Sequence, residues 1–339
     1  MVKQLAKKIL PKAVFNYLES EIKKFKSYKR LKRANSYDFK NYLESSDIRG
    51  LNSANKMIGL IIREYHAVEK GLIMPEFRLG FGKDRVISLC NNCCNFIDSY
   101  GTSDSQLKHA VEVINEYVKV HEDNNYKLSD DVLDAIKKLQ SKISDVSWST
   151  QRVSSNEEYF SKVKDDFKSF SNSRASVRNY TKEEVTVESI EQALLIARNT
   201  PSACNRQSAR TYVYTDKTLI SRILEVQGGN RGFGHLANKV VIVTSDNNLY
   251  SGVGERNQAY VDGGMYAMNL LYALHYNKIA ACILNCSTTP EKDIKLRQLT
   301  GIKDSEVFIA MVSCGIPPED FKIAASKRYD LEVTNKVIK

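Results

Sequence analysis

The hydrophobic pattern of the chain changes near residue 166, and this change constrains the fold more than any other feature of the sequence. Before it, apolar residues recur every three or four positions with few β-branched alternations, a pattern that predicts helices. After it, short apolar runs alternate with helical patterns. The helices expected in the first part are Ala54–Lys70, Asp84–Tyr100, Ser105–His121 and Ser129–Ile143.

Residues 166–339 are expected to form an α+β domain, a sheet flanked by helices. The expected strands are Arg210–Thr215, Lys239–Ser245, Ile279–Leu284 and Val307–Cys314. The expected helices are Val187–Arg198, Thr218–Gln227, Asn257–Tyr276 and Pro290–Leu299. Thr186 is the expected N-cap of the first of these helices, and Pro201 follows its end. A mostly helical region, residues 41–165, precedes this domain, and no motif in it indicates a role.

Residues 1–40 carry nearly all of the net charge. They contain twelve Lys or Arg and three Asp or Glu, which gives +9, against +10 for the whole chain. Apolar residues among them, such as Leu5, Leu10 and Leu18, recur near the helical period. The sequence predicts a basic helical arm, and docking on its own protein is the preferred interpretation. Weak contact with an anionic membrane surface stays open, and no nucleic-acid partner is expected.

The cysteines and the lack of a long apolar run indicate the compartment. Seven cysteines without regular spacing are typical of reduced thiols in a cytoplasmic protein. A membrane-spanning helix needs about 18 or more consecutive apolar residues, and none occur here. The N-terminus lacks the apolar region of a secretory signal, so none is expected.

Two polar motifs stand on either side of the first helix expected in the α+β domain. Arg174, Ser176 and Arg178 form an R-x-S-x-R run, and guanidinium groups spaced in this way suit a phosphate or another oxyanion. The second motif is the loop Pro201–Gln207, with the sequence P-S-A-C-N-R-Q. Its amide side chains both donate and accept hydrogen bonds, so they suit the edge of a planar ring. Alone, the run is more typical of a solvated surface, and the loop is more typical of an ordinary polar loop.

Together, the two motifs resemble those that open the domain of the nitroreductase family of flavoenzymes. Further stretches agree in order. They are the helix Asp262–Tyr276 with Gly263 and Gly264, the segment Lys278–Asn285, the turn Ser313–Pro317 and the basic segment Ser326–Arg328. The resemblance covers about half of the chain. The aromatic residue or proline usual after the family's Gln is absent, since Ser208 and Ala209 follow Gln207 here.

The resemblance implies FMN as cofactor. It implies that Arg174, Ser176 and Arg178, with Lys327 and Arg328, hold the phosphate and ribityl chain. It also implies that Pro201, Ser202, Asn205 and Gln207 lie at the isoalloxazine edge, and that Cys282, Ile283 and Leu284 pass beside the reactive flavin nitrogen. The expected substrate pocket contains Phe233, Tyr250 and Tyr260. No catalytic acid or base is nominated.

The function that this resemblance implies is a homodimeric oxidoreductase. It would use NADH or NADPH to reduce FMN and then reduce a small organic acceptor by a ping-pong mechanism. Two alternatives remain: a flavin-dependent dehydrogenase of a biosynthetic intermediate, and a non-catalytic flavin-bound adaptor. The acceptor is not indicated by the sequence.

Three other motifs favour structural interpretations. Gly232–Ala237 fits a dinucleotide-binding pattern, but the expected strand follows it rather than precedes it, so a plain turn or a mobile loop near the substrate is expected. Cys90, Cys93 and Cys94 lack a second pair of metal ligands at a suitable spacing, so buried thiols and no metal are expected. For His66–Gly71, capping and surface pairing by Glu69 and Lys70 are expected rather than acid–base chemistry.

Overall fold

The computed structural model describes residues 9–144, 146–149, 151–286 and 288–338. Its first helix, α1, runs from Lys12 to Ser45, and none of its 34 residues is buried. The helix reaches the rest of the chain near its C-terminal end, where Asp38 forms an ion pair with Arg256. The expected docking of the arm on its own protein is therefore limited to this end. Leu5, part of the expected amphipathic pattern, lies outside the described residues.

A helical bundle follows α1. Its helices are α2 (Ala54–Leu72), α3 (Lys83–Tyr100), α4 (Ser105–Asp123) and α5 (Asp130–Gln140). Their apolar faces meet in one core that extends from Ile58 to Ile143. Ser53 and Asp104 cap α2 and α4 by accepting hydrogen bonds from backbone N–H groups of the first turn. The cysteines of α3 are buried free thiols, as the sequence predicts.

A four-stranded antiparallel sheet forms the centre of the C-terminal half. The strands are β2 (Ala209–Tyr214), β3 (Lys239–Asp246), β4 (Ala280–Asn285) and β5 (Glu306–Gly315), in the order β2-β3-β5-β4. Each begins and ends within one residue of its expected bounds, because a turn or helix signal delimits each apolar run. The expected α+β fold class is confirmed.

Helices cover both faces of this sheet. They are α8 (Val187–Ala197), α9 (Lys217–Gln227), α10 (Gln258–Tyr276) and α11 (Pro290–Thr300), and Thr186 caps α8 as expected. Successive residues of a strand point to opposite faces. Accordingly, Val241 of β3 belongs to the core under α8 and α10, and Ile242 belongs to the core under α9 and α11.

A second, two-stranded sheet connects the region after the bundle to the end of the chain. Strand β1 (Arg152–Ser155) pairs in antiparallel fashion with β6 (Asp320–Ile323). The short helices α6 (Asn156–Phe160) and α7 (Phe167–Ser173) follow β1, and α12 (Leu331–Thr334) follows β6. Tyr159 and Phe160 pack in the core of the C-terminal half. The pairing brings the segment after β6 against the helical bundle.

Candidate functional site

The R-x-S-x-R run leaves the end of α7 as an extended segment beside β4. Val177 is buried, and its backbone N–H donates to the carbonyl of Ala281 at 3.1 Å. Because side chains alternate along an extended segment, Ser176 and Arg178 point to the other side from Val177. Burial raises the pKa of the Cys282 thiol on β4, although the neighbouring Arg178 opposes this.

One cleft of about 970 Å³ collects half of the expected FMN contacts. We call it the phosphate cleft. Its lining includes Arg174, Ser176, Arg178, Ile283, Lys327 and Arg328. On β4, Ile283 is 39% exposed toward the cleft, whereas Cys282 and Leu284 point into the core. The side chains of Cys282 and Leu284 are thus buried and do not line the cleft, although the Cys282 thiol neighbours Ser176 and Arg178.

Residues of the helical bundle line the same cleft. They are Ile62, Tyr65, His66 and Glu69 on α2, and Gln106 on α4. The expectation that Glu69 caps a helix or pairs at the surface is wrong, because Glu69 is fully buried. Its Oε1 atom lies 2.9 Å from Nε2 of His109 and accepts a hydrogen bond from the backbone N–H of Ser326 at 3.1 Å.

His109 is held between two carboxylates. Its Nε2 faces Glu69, and its Nδ1 lies 2.9 Å from Oε2 of Glu112. Burial disfavours the charged form of His109, but the bonds to Glu69 and Glu112 outweigh it and raise the pKa of the imidazole. Burial likewise opposes ionisation of Glu69, yet bonds from His109, His66 and the Ser326 N–H lower the pKa of that carboxyl. Glu69 is therefore a carboxylate whose charge is balanced inside the protein.

The bundle, together with Gln151 just before β1, also fixes the backbone of the basic segment after β6. The Gln106 amide donates to the carbonyl of Lys327 at 3.4 Å, and Gln151 accepts from the N–H of Ala325 at 2.9 Å. With the Glu69–Ser326 bond, three consecutive residues of this segment are held from outside it. Reasoning from sequence missed this role, because no local signal links α2 or α4 to residues more than 200 positions away.

The loop Pro201–Gln207 lies at a different cavity, of about 230 Å³, which we call the ring-end cavity. Pro201, Ser202 and Gln207 line it together with Asp262 and Tyr266 of α10. Three non-glycine residues of the loop have positive φ: Cys204 at 52°, Asn205 at 55° and Gln207 at 50°. Such conformations cost energy and persist only where surrounding contacts enforce them.

Several contacts enforce the conformation of this loop. Ser202 Oγ accepts from the N–H of Gln207 at 2.8 Å, and buried Asp262 accepts from the N–H of Ala203 at 3.0 Å. Arg206 donates to both carboxylate oxygens of Glu255, at 2.9 and 2.6 Å. Asp262, Arg206 and Glu255 thus position the loop, although the sequence did not single them out.

The three expected substrate-pocket residues lie in different environments. Tyr250 donates to Asp262 at 2.9 Å beside the ring-end cavity, and the guanidinium of Arg206 stacks over its ring at 4.9 Å. Tyr260 is exposed on α10. Phe233 is 1% exposed and packs in the core, because a turn closed by its N–H bond to Asn230 folds its side chain inward. Its expected place in a substrate pocket is therefore corrected.

In one chain the expected FMN contacts form two groups along α10. Met268 and Tyr272 of this helix line the phosphate cleft, while Asp262 and Tyr266 line the ring-end cavity. Ten residues of helix, from Asp262 to Tyr272, correspond to about 15 Å. The structure brings together Arg174, Ser176 and Arg178 with Lys327 and Arg328. It does not bring them together with Asn205 and Gln207.

Comparison with known families identifies the segment that carries both motifs. Residues 172–230 match the model of the nitroreductase family. The expected resemblance is confirmed over this segment, which contains the R-x-S-x-R run, α8 and the loop Pro201–Gln207. The comparison with curated proteins gave no match.

Solved structures similar to the C-terminal half include a putative NADH oxidase from Clostridium acetobutylicum, at 23% identity and a TM-score of 0.43, covering 48% of this chain and 96% of that one. A putative nitroreductase in complex with FMN from Desulfovibrio desulfuricans has 19% identity and a TM-score of 0.44, covering 52% of this chain and 98% of its own. An FMN-dependent nitroreductase from Clostridium difficile has 18% identity and a TM-score of 0.41, covering 48% and 92%.

Proposed function

We propose that this chain is an FMN-dependent oxidoreductase that takes electrons from NADH or NADPH and passes them to a small organic acceptor by a ping-pong mechanism. The observation that carries the proposal is the family match over residues 172–230, which includes both motifs of the expected site. FMN, when bound, supplies the hydride chemistry, and the protein supplies position and electrostatics.

The phosphate cleft has the donor set that a phosphate dianion needs. Arg174, Arg178 and Arg328 offer planar groups of N–H donors, Lys327 adds a point charge, and Ser176 adds a hydroxyl. Glu69, a carboxylate that lines the same cleft, is balanced by His109 and so does not cancel this positive field. We assign the phosphate and the ribityl chain to this cleft.

The ring-end cavity suits the polar edge of a flavin ring. Gln207 and Asn205 are exposed amides on a loop whose shape is fixed by Asp262, Ser202 and Arg206. A loop held in its bound conformation before the ligand arrives loses less conformational entropy on binding. The role of Arg206 and Asp262 is therefore to position the amides, and direct contact with the ring is assigned to Asn205 and Gln207.

We further propose a homodimer in which two copies cross at α10. The helix exposes an apolar face that includes Val261, Met265 and Met268, at 53%, 40% and 38% exposure. With a two-fold axis passing through this face, the first half of α10 in one copy lies beside the second half of α10 in the other. The ring-end cavity of one copy then faces the phosphate cleft of its partner, which unites the two groups of contacts.

The two adjacent glycines of α10 serve different purposes under this proposal. A Cβ atom on Gly263 would lie 2.5 Å from Cγ1 of Ile309, so Gly263 allows α10 to pack on its own sheet. A Cβ atom on Gly264 would meet nothing within 4 Å. Gly264 is therefore the residue that permits close approach of a second helix.

The decisive experiment is to purify the protein and measure its absorption, flavin content and turnover. A yellow protein with about one FMN per chain, which oxidises NADH or NADPH only when a quinone or nitroaromatic acceptor is supplied, supports the proposal. A protein that binds no FMN after reconstitution refutes it. A flavin-loaded protein without turnover would instead support the adaptor function.

A further inference from the structure

Helix α1 is an amphipathic helix that the described part of the chain leaves uncovered. Every residue from Ser20 to Arg33 is exposed. Val14, Leu18, Ile22, Phe25 and Tyr28 follow one another at intervals of four, four, three and three, so they form one stripe along the helix. Their exposed fractions lie between 43% and 62%. Covering such a stripe with another apolar surface removes its side chains from water, which lowers the free energy.

The charge around the stripe indicates what covers it. From Lys12 to Arg33 there are eight Lys or Arg and two Glu, a net +6. The chain beyond residue 40 has a net charge of only +1, the difference between +10 for the whole and +9 for residues 1–40. The body of a second copy therefore has no net negative charge to attract the arm. An anionic surface complements it.

We propose that α1 lies on the surface of an anionic lipid bilayer, with its apolar stripe in the headgroup region and its basic residues at the phosphates. Basic amphipathic helices with aromatic side chains bind in this way. Lys29 and Lys32 follow Phe25 and Tyr28 by four positions, so they lie on the same face of the helix as the stripe, and Lys29 Nζ lies 4.6 Å from the centre of the Phe25 ring. No helix among the described residues is long and apolar enough to span the bilayer. The contact is peripheral.

Two adjacent ion pairs connect α1 to the loop Pro201–Gln207 beside the ring-end cavity. Asp38 accepts from Arg256 at 2.7 and 2.8 Å, and the preceding residue, Glu255, binds Arg206 of the loop Pro201–Gln207. An arm held on a bilayer thus keeps the ring-end cavity close to the lipid, while the phosphate cleft is attached to the helical bundle.

We infer that the acceptor is a bilayer-dissolved quinone that is reduced to the quinol, with NADH or NADPH and a proton as the source of hydrogen. This part of the inference rests on the proposed function.

Vesicle co-sedimentation tests the membrane contact without reference to activity. The full-length protein should partition to vesicles of phosphatidylcholine with about one third phosphatidylglycerol, but not to phosphatidylcholine alone. The double variant Lys29→Glu, Lys32→Glu should lower the partition coefficient about tenfold or more. The control Lys137→Glu, Lys182→Glu makes the same charge change on exposed residues of the body and should leave binding nearly intact. Equal binding by both variants, or none by the intact protein, overturns the proposal.

A fluorescent reporter distinguishes lipid from a second copy as the occupant of the stripe. Trp148 is the one tryptophan of the sequence, so Phe25→Trp in a Trp148→Phe background reports on position 25 alone. Its emission should shift to the blue on adding anionic vesicles. It should shift back at about 0.5 M salt, where screening weakens the attraction. A blue-shifted emission before vesicles are added, with a concentration-dependent rise in mass, would identify a second copy and overturn the proposal.

Turnover separates the failure of this inference from failure of the proposed function. A water-soluble quinone should be reduced equally by the intact protein and by Lys29→Glu, Lys32→Glu. A quinone with a long isoprenoid tail in anionic vesicles should be reduced several-fold faster by the intact protein. If the intact protein and the double variant reduce each quinone at equal rates, the inferred acceptor is wrong. If neither protein reduces either quinone, the oxidoreductase function is wrong, and the vesicle result still holds.

Discussion

Glu69 and His109 form a buried pair, with 2.9 Å between Oε1 and Nε2, at the point where the helical bundle meets the basic segment after β6. Glu69 also receives the backbone N–H of Ser326, two residues before Arg328. The helical region, which has no motif of its own, therefore shapes the phosphate end of the candidate site. The stability of the helical region and the geometry of the cleft therefore both depend on Glu69 and His109.

His109→Gln should destabilise the fold by about 3–5 kcal/mol near pH 6, because it leaves the buried Glu69 carboxylate without its partner. The pKa of His109 is raised in the folded state, so its contribution is complete below the unfolded value of about 6.5 and is lost as the pH rises through the folded value. The pKa of Glu69 is lowered, so its contribution is present above about 4.3 and is lost as the pH falls through the folded value.

Urea unfolding between pH 5 and about 9 measures this effect. The difference in the free energy of unfolding between the intact protein and His109→Gln should be largest between about pH 5 and 6.5 and should shrink toward pH 9. His235→Gln changes an exposed histidine and serves as the control. A difference that stays constant over this range would mean that His109 acts by packing rather than by charge.

Arg174→Ala should weaken FMN binding by about 1.5–3 kcal/mol, the range for a hydrogen bond to a charged group. Riboflavin lacks the phosphate, so its affinity should change little in the same variant. Fluorescence titration of both ligands gives the two dissociation constants. Arg198→Ala, which removes an arginine that lines the ring-end cavity instead, is the matched control. An equal loss for both ligands would place Arg174 away from the phosphate.

Cys204→Gly should raise the free energy of unfolding by up to about 1 kcal/mol, because Cys204 has a φ of 52° that glycine adopts without a Cβ penalty. Cys204→Val should lower it by about 1–2 kcal/mol, since β-branched residues tolerate this region poorly. Cys204 is exposed, so neither change removes core packing. Glu191→Gly, at an exposed position inside α8, should instead cost about 1 kcal/mol. If both glycine variants lost stability equally, the loop would not be strained.

The parts of the fold that follow from local patterns could be predicted from the sequence. Strand β3 is a run of Val and Ile residues between turns. Helix α8 begins directly after Thr186, because the Thr186 hydroxyl accepts a hydrogen bond from the N–H of Ser189 in the first turn. The side of a strand that a residue faces also follows from alternation once the segment is placed, as for Val177. These features depend on neighbours within a few positions, which a single sequence contains.

The rest depends on contacts that a single sequence does not contain. The distant partners of Glu69, His109 and Ser326, are 40 and 257 positions away, so its burial was not predictable from the pattern His66–Gly71. Phe233 has a glycine-rich loop on both sides that is typical of an exposed segment, yet a turn packs its ring in the core. The separation of Arg174 from Asn205 in one chain likewise depends on where α10 lies.

Gly264→Glu should dissociate the proposed homodimer while leaving the protomer folded. The substitution puts a charge on the apolar face of α10, where an unpaired buried charge is costly in a dimer, and its Cβ atom meets nothing within 4 Å in the protomer. Gly263→Ala is the neighbouring control and should destabilise the protomer by about 1–3 kcal/mol through the clash with Ile309, without a specific effect on association. Light scattering and thermal unfolding measure the two effects. A Gly264→Glu protein that remains dimeric would place the interface elsewhere.

Deleting residues 1–40 should leave flavin content and turnover with a water-soluble acceptor nearly unchanged. The FMN contacts that we assign lie beyond residue 170, and the described helix α1 has no buried residue. It is linked to the body near its C-terminal end, by the half-buried ion pair between Asp38 and Arg256. Asp38→Asn, which removes only that link, should behave like the truncated protein with the soluble acceptor and should retain vesicle binding. Absorbance at the flavin band, together with turnover at matched protein concentration, measures the outcome. If the truncated protein folds but loses its flavin, while Asp38→Asn keeps it, then the arm forms part of the active-site architecture. The division of the chain at residue 40 would then be wrong. A helix that is exposed in one protomer would be buried in the assembled enzyme and would contribute to the site there.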